Sequence, residues 1–319
     1  MWLVLLTQSL LLVAIVAWLA AAPPASWPGL TVQVVASLFA LLALARIGLW
    51  LFPPWWVPLA GIVSVVVISA WLVMRRPRSR RVPNGALAWL HLAFFAALAA
   101  GSAIVVAKGT ASGAVPTGTV DLTLPFESGR YLVVNGGSWV VGNAHRQSVG
   151  SSDPKFIPWR GNGWAVDLIA IDRWGLRTRG ILPADPARYH IFGRPVIAPC
   201  EGDVVVAEDG RPDMHVPEYD RPKIAGNHLI IDCGGLHVVL AHLRKGSILV
   251  RKGDHLRVRQ PIGQVTNSGG SSEPHLHIHA QRPGPPEFPI GGDPIPIRLD
   301  GRFLVRGDRV APRLDWHRP

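Results

Sequence analysis

The first 107 of the 319 residues contain no aspartate and no glutamate. An ordinary soluble segment of that length carries about a dozen acids, given roughly 25% charged residues of both signs. Their absence excludes a single water-soluble globular domain and a disordered chain. The only charges before position 108 are Arg46, Arg75, Arg76, Arg78, Arg80 and Arg81, while the other 26 of the 32 lysines and arginines stand against all 21 acids. The net charge of +11 is thus not one basic surface. The moderate excess beyond position 107 suits an anionic surface, and no nucleic-acid partner is expected. Cysteine is also scarce: Cys200 and Cys233 are the only two, and two lone cysteines make no zinc site without further ligands. They allow one pairing, but sequence gives no Cα separation, so a disulfide and two buried thiols both stay open.

What fills the acid-free part is four apolar stretches, 2–22, 30–52, 56–74 and 86–107. Each is close to the roughly 20 residues a helix needs to cross the hydrocarbon core. Pro23-Pro24, Pro53-Pro54 and the arginine run at 75–81 separate them. Trp27, Trp50, Trp55, Trp56 and Trp89 fall at the expected ends, where aromatic rings favour the lipid–water boundary. The stretch after Met1 lacks the basic n-region of a signal peptide. Arginine-rich short loops stay on the cytoplasmic side. The expectation is therefore a multi-pass membrane protein, with residues 108–319 outside the cytoplasm. Arg46, about two turns from the expected end of the second helix, reads as a side chain snorkelling to the interface.

Residues 108–125 form a small polar linker rich in turn formers. Beyond it, 126–319 shows no long stretch of 3.6-residue period. Instead, short runs of Val, Ile and Leu recur at 131–134, 165–171, 196–197, 204–207, 228–232, 237–242, 262–265 and 275–280. Their spacing predicts a compact all-β domain. Three longer polar stretches, 143–163, 172–194 and 209–226, read as insertions that shape a cleft.

Chemistry concentrates in Pro274-His275-Leu276-His277-Ile278-His279. Alternate strand residues share a face, so three imidazoles line one side while Leu276 and Ile278 line the other. His279 lies one pair farther along, where a supporting role competes with plain exposure. Residues 267–279, with Ala241-His242-Leu243 and Ala165-Val166-Asp167, resemble the LytM/lysostaphin-type zinc peptidases of family M23. The likeness extends over most of 130–282 and leaves the four-helix region out.

The resemblance implies an all-β LytM/M23 peptidase-like domain behind an α-helical transmembrane region of about four helices. It implies a Zn2+ cofactor, with His277 and Asp167 as ligands and His242 and His275 as catalytic histidines. The commonest pattern puts another ligand histidine four residues before the aspartate, where this chain has Gly163. His145, in Gly142-Asn-Ala-His145, is the expected substitute, as in relatives with a long insertion between the two ligands. The alternative is an inactive site that has lost a ligand. Zinc with three protein ligands and an open position lowers the pKa of bound water from about 15.7 to about 7, which creates hydroxide at neutral pH. The function so implied is a membrane-anchored zinc endopeptidase of the bacterial inner membrane acting on peptidoglycan peptides, its partners being the wall peptide, the bilayer and a membrane-protein regulator. Two other readings compete: a non-catalytic LytM-like domain that binds wall or activates another hydrolase, and a lipoyl-type carrier, which lacks a convincing hairpin lysine.

Overall fold

The computed structural model describes residues 2–75 and 82–313. It divides into two compact units, Met1–Ala111 and Ser112–Pro319. Of the arginine run, Arg76, Arg78, Arg80 and Arg81 lie outside the described residues.

The first unit consists of α1 (Trp2–Ala21), α2 (Trp27–Ile47), α3 (Val57–Arg75) and α4 (Ala86–Ala111). All four are long and apolar enough to cross a membrane, so the chain is a membrane protein. The second helix starts and ends earlier than the apolar stretch suggests. Ser26 accepts from the Gly29 amide and Pro28 sits in the first turn, which fixes the start. The Gly48 amide and the Trp50 indole both donate to the Leu44 carbonyl, which closes the end. Arg46 therefore lies in the last turn of α2, where it is exposed. Leu19, Leu30, Leu41, Val65 and Leu72 form the buried seam of the bundle. Leu3, Leu10, Val63, Val67, Leu87 and Leu90 are exposed, as side chains facing lipid would be.

The second unit is mostly β, as the short apolar runs predict. Its strands are β1 (Val120–Leu122), β2 (Tyr131–Asn135), β3 (Val166–Ala170), β4 (Pro195–Ile197), β5 (Gly202–Glu208), β6 (Asn227–Asp232), β7 (His237–Leu243), β8 (His255–Leu256), β9 (Pro261–Gln264), β10 (Leu276–Gln281), β11 (Pro294–Ile295), β12 (Ile297–Leu299) and β13 (Arg309–Val310). The main sheet runs β13-β2-β3-β10-β7-β6-β5-β8, with β11 added to the far half of β10. Two small sheets, β1 with β12 and β4 with β9, complete it. Strand β1 falls inside the stretch read from sequence as a linker. It escapes the pattern because three residues, Val-Asp-Leu, are too short to show an alternation.

One face of the main sheet carries the core. Val166, Leu168, Leu276, Ile278, Ala280, Val238, Leu240, Leu229 and Ile231 all belong to it, at alternate positions of four adjacent strands. Full burial of each large aliphatic side chain stabilises by roughly 1.5–3 kcal/mol. The same alternation commits Asp167, His277 and His279 to the opposite face. Cys200 and Cys233 are joined in a disulfide, with a Cα separation of 6.1 Å. The expected insertions are not featureless: short 3-10 helices occupy Ala144–Ser148, Pro154–Trp164, Pro186–Arg188 and Arg221–Lys223.

Candidate metal centre

Strand register assembles the site. On three neighbouring strands, Asn135 of β2 pairs with Asp167 of β3, and Asp167 pairs with His277 of β10. Residues directly opposite one another in antiparallel strands share a face, so this row converges without help from any loop. On the other side of β10, His277 pairs with Ala241 of β7. His242 would normally point to the core face. However, the β6–β7 register shifts between Asn227 and Leu229, so that Ala241 and His242 together oppose His228. His242 also has φ 63°. Such a bulge re-aims a side chain, and a left-handed non-glycine residue is the kind of local strain that functional sites retain. The result turns His242 toward His275 and His277, with ring centroids 4.6 and 6.0 Å away.

His145 reaches the row from the first insertion. Its 3-10 helix is capped by Asn143, whose side chain accepts from the His145 amide and donates to the Gly137 and Ala165 carbonyls. The imidazole Nε2 then lies 2.9 Å from Asp167 Oδ2. On the other carboxylate oxygen, His277 Nδ1 is 2.9 Å and His275 Nε2 is 3.7 Å from Asp167 Oδ1. The candidate ligand atoms of His145, Asp167 and His277 all fall within 4.8 Å of one another. A side chain at position 163 could replace His145 only if Val149 moved, because a Cβ there would overlap Val149 Cγ2. Space that a ligand would occupy there is filled by the insertion that carries His145.

Proton placement within the site follows from groups that have no choice. The Pro289 carbonyl can only accept, so the Gln281 amide donates to it through Nε2 at 2.7 Å. Gln281 Oε1 therefore faces His279 Nε2, 3.3 Å away, and accepts from it. His279 Nδ1 is left as an acceptor for His277 Nε2–H at 2.9 Å. His277 Nδ1 then bears a lone pair, directed at a carboxylate oxygen. Burial holds His277 below its usual pKa despite the attraction of Asp167. Burial pushes the Asp167 carboxyl up, but His145, His275 and the imidazole hydrogen bonds outweigh it and hold it well below the usual range. A neutral imidazole nitrogen and an ionised carboxylate oxygen facing each other at 2.9 Å repel unless a cation joins them. Two imidazoles and one carboxylate are a donor set that zinc accepts, with a position left for water.

His242 and His275 are arranged differently. His242 Nδ1–H donates to the Ser268 carbonyl at 2.8 Å, and His275 Nδ1–H to the Glu273 carbonyl at 3.0 Å. Nδ1 is thereby engaged on both rings, which leaves Nε2 as the nitrogen available for chemistry. Burial, with His275 and His277 nearby, holds His242 well below its usual pKa, so its ring is neutral. These rings line a cavity of about 240 Å3 together with Asn135, Trp159, Ile224 and Ile290. Trp159 and Ile224 come from the first and third insertions, whereas the second does not line the cavity; it meets the site through Arg177.

Several contributors were not legible beforehand. Asn135 donates to Asp167 Oδ2 at 2.7 Å, and its amide is oriented because Arg306, which can only donate, occupies its Oδ1 at 3.1 Å. Nothing local in the sequence marks either residue. His279 is fully buried, which settles the open reading against plain exposure. The polar residue at every second position from His275 to Gln281, on a strand otherwise apolar, was the available signal.

Residues 188–289 match the sequence profile of Peptidase family M23, which bears out the resemblance and includes His242, His275 and His277 but neither Asp167 nor His145. No curated protein matches the chain. Among solved structures, the chain is similar to the catalytic domain of the antimicrobial peptidase lysostaphin from Staphylococcus simulans, at 21% identity over 38% of this chain and 70% of that one, TM-score 0.25. It is also similar to a chain of the SpoIIQ–SpoIIIAH pore-forming complex, at 20% identity over 40% of this chain, TM-score 0.25. A third is a zinc-containing peptidase from Vibrio cholerae, at 21% identity over 46% of this chain, TM-score 0.22. The chain spans 65% and 48% of the length of the last two.

Proposed function

We propose, taking residues 188–289 as a domain of Peptidase family M23, that the β unit is a zinc-dependent endopeptidase cutting peptide bonds of peptidoglycan. The observation that carries this reading is the convergence of His145, Asp167 and His277 beside two imidazoles whose Nε2 atoms are free to take a proton. Zinc held by the three ligands supplies a water acidic enough to act as hydroxide at neutral pH and an electrophile for the peptide carbonyl. Asn135 and His145 orient Asp167, and the His279 chain orients His277. His242 or His275 takes a proton at Nε2 and later returns it to the leaving amine. In its protonated form the same Nε2–H donates to the oxyanion that forms at the carbonyl. The cavity walls from the first and third insertions exclude bulk water from these steps.

The test is digestion of purified cell wall by the full-length protein in detergent, with product mass analysis. Chelator is expected to abolish cleavage and added zinc to restore it. His242→Ala is expected to keep its zinc and lose about 10^2 to 10^4 in kcat. Wall binding without cleavage, unaffected by chelator, would instead support a non-catalytic binding module.

We also place the β unit outside the cytoplasm of a bacterial inner-membrane protein, on the arginine-rich loop between the third and fourth helices. A reporter phosphatase active only outside the cytoplasm, fused after Pro319, should be active. An inactive fusion whose cytoplasmic-reporter counterpart works would reverse the topology.

A further inference from the structure

Resting on the zinc reading above, we propose that His279 and Gln281 are positioning residues for the metal: they fix which nitrogen of His277 is bare. Three buried side chains on one face of β10 form an unbroken line, His277 to His279 to Gln281, that ends on the Pro289 carbonyl. His277 is 6% exposed, and the other two not at all. Each hydrogen bond has only one possible direction once the terminal carbonyl is fixed as an acceptor. The line thus presents Nδ1 of His277 to Asp167 and keeps the proton on Nε2. Without an acceptor at His279, a neutral His277 would gain by moving its proton to Nδ1 and donating to Asp167 Oδ1. That tautomer fills the ligand position with a hydrogen.

The fold packs closely around the far end of the line. Gly161 lies so close that a Cβ there would overlap Gln281 Oε1, and the Gly161 amide donates to the Ile290 carbonyl, next to Pro289. Ile290, the residue after the anchoring Pro289, lines the cavity, so the anchor adjoins the cavity wall. The line therefore joins the loop that carries Ile290 to the ligand His277, and His279 and Gln281 act on the metal through His277.

The experiment measures zinc affinity of the full-length protein in detergent by chelator competition, and the ligand-field spectrum after Co2+ replaces zinc. His279→Phe keeps the volume and lacks the acceptor. It is expected to weaken zinc by about 10 to 100-fold and to alter the Co2+ spectrum. His279→Gln, whose carbonyl oxygen can accept from His277, should recover most of the affinity. Gln281→Leu, which leaves the His279 Nε2–H without its acceptor, should weaken zinc as well. A folded His279→Phe with wild-type affinity and spectrum overturns the proposal. Should that variant not fold, a Gln281→Leu protein with wild-type affinity and spectrum overturns it equally. A wild-type protein that binds no zinc would refute the functional reading itself, which is a different outcome.

Discussion

Asp167→Ala should leave a folded protein that no longer holds zinc and cleaves wall at the rate of the chelated wild type. The carboxylate accepts from Asn135 and faces His145, His275 and His277. It is the sole negative charge in the row, so no neighbour can offset its loss. Burial already holds His277 and His242 below their usual pKa, so removing the carboxylate leaves no charge on either buried ring, which is why folding should survive. His145→Ala should have the same effect on zinc, with about one equivalent per chain in the wild type. The informative companion is His145→Ala combined with Gly163→His. A histidine at 163 would restore the spacing of the commonest family pattern, yet its Cβ would meet Val149, Pro294 and Ser148. That variant is expected to stay without zinc and to lose a further 1–3 kcal/mol or so from overpacking. Metal analysis and a thermal melt check both. Zinc recovered by the double variant, or kept by His145→Ala, would overturn the assignment of His145.

The reasons for success and failure of the sequence reading are physical. Helices of apolar residues and strands with alternating Val, Ile and Leu are local patterns, so the four helices and the longer strands could be read directly. The shared face of His275 and His277 follows from period two alone. Helix α2 shifted because a cap at Ser26 and a turn at Gly48 outweigh hydrophobicity at its ends. Sheet order is different in kind: β10 lies between β3 and β7, a neighbourhood set by long-range pairing that no window of sequence contains. The same holds for Asn135, which reaches Asp167 only because β2 and β3 shift register between Val133 and Asn135. His242 was found through its motif, but its direction depends on a bulge and a positive φ that the motif does not spell out.

Arg177→Ala should be strongly destabilising to the β unit, and it acts on the site from a segment that does not line the cavity. Arg177 Nε lies 3.0 and 3.1 Å from the two Glu273 oxygens, and its terminal nitrogen lies 3.0 Å from Oε2. The side chains are 3% and 9% exposed, and 96 residues of chain separate them. Truncating one partner of a buried pair leaves an uncompensated charge and costs about 3–5 kcal/mol. At about 2–4 °C per kcal/mol for a unit of this size, the melt should fall by about 6–20 °C. Glu273 is also the residue whose carbonyl holds His275 Nδ1–H, so the second insertion, through Arg177, clamps the segment that aims the His275 ring. A double variant, Arg177→Met with Glu273→Leu, separates the two effects. Apolar replacement of a whole buried pair is often neutral or stabilising, so most of the melting temperature should return. The clamp would not return with it, and turnover should remain about 10-fold or more below wild type while zinc content is unchanged. A single variant that melts within about 2 °C of wild type would show that the pair contributes little, and a double variant with full turnover would show that His275 needs no clamp.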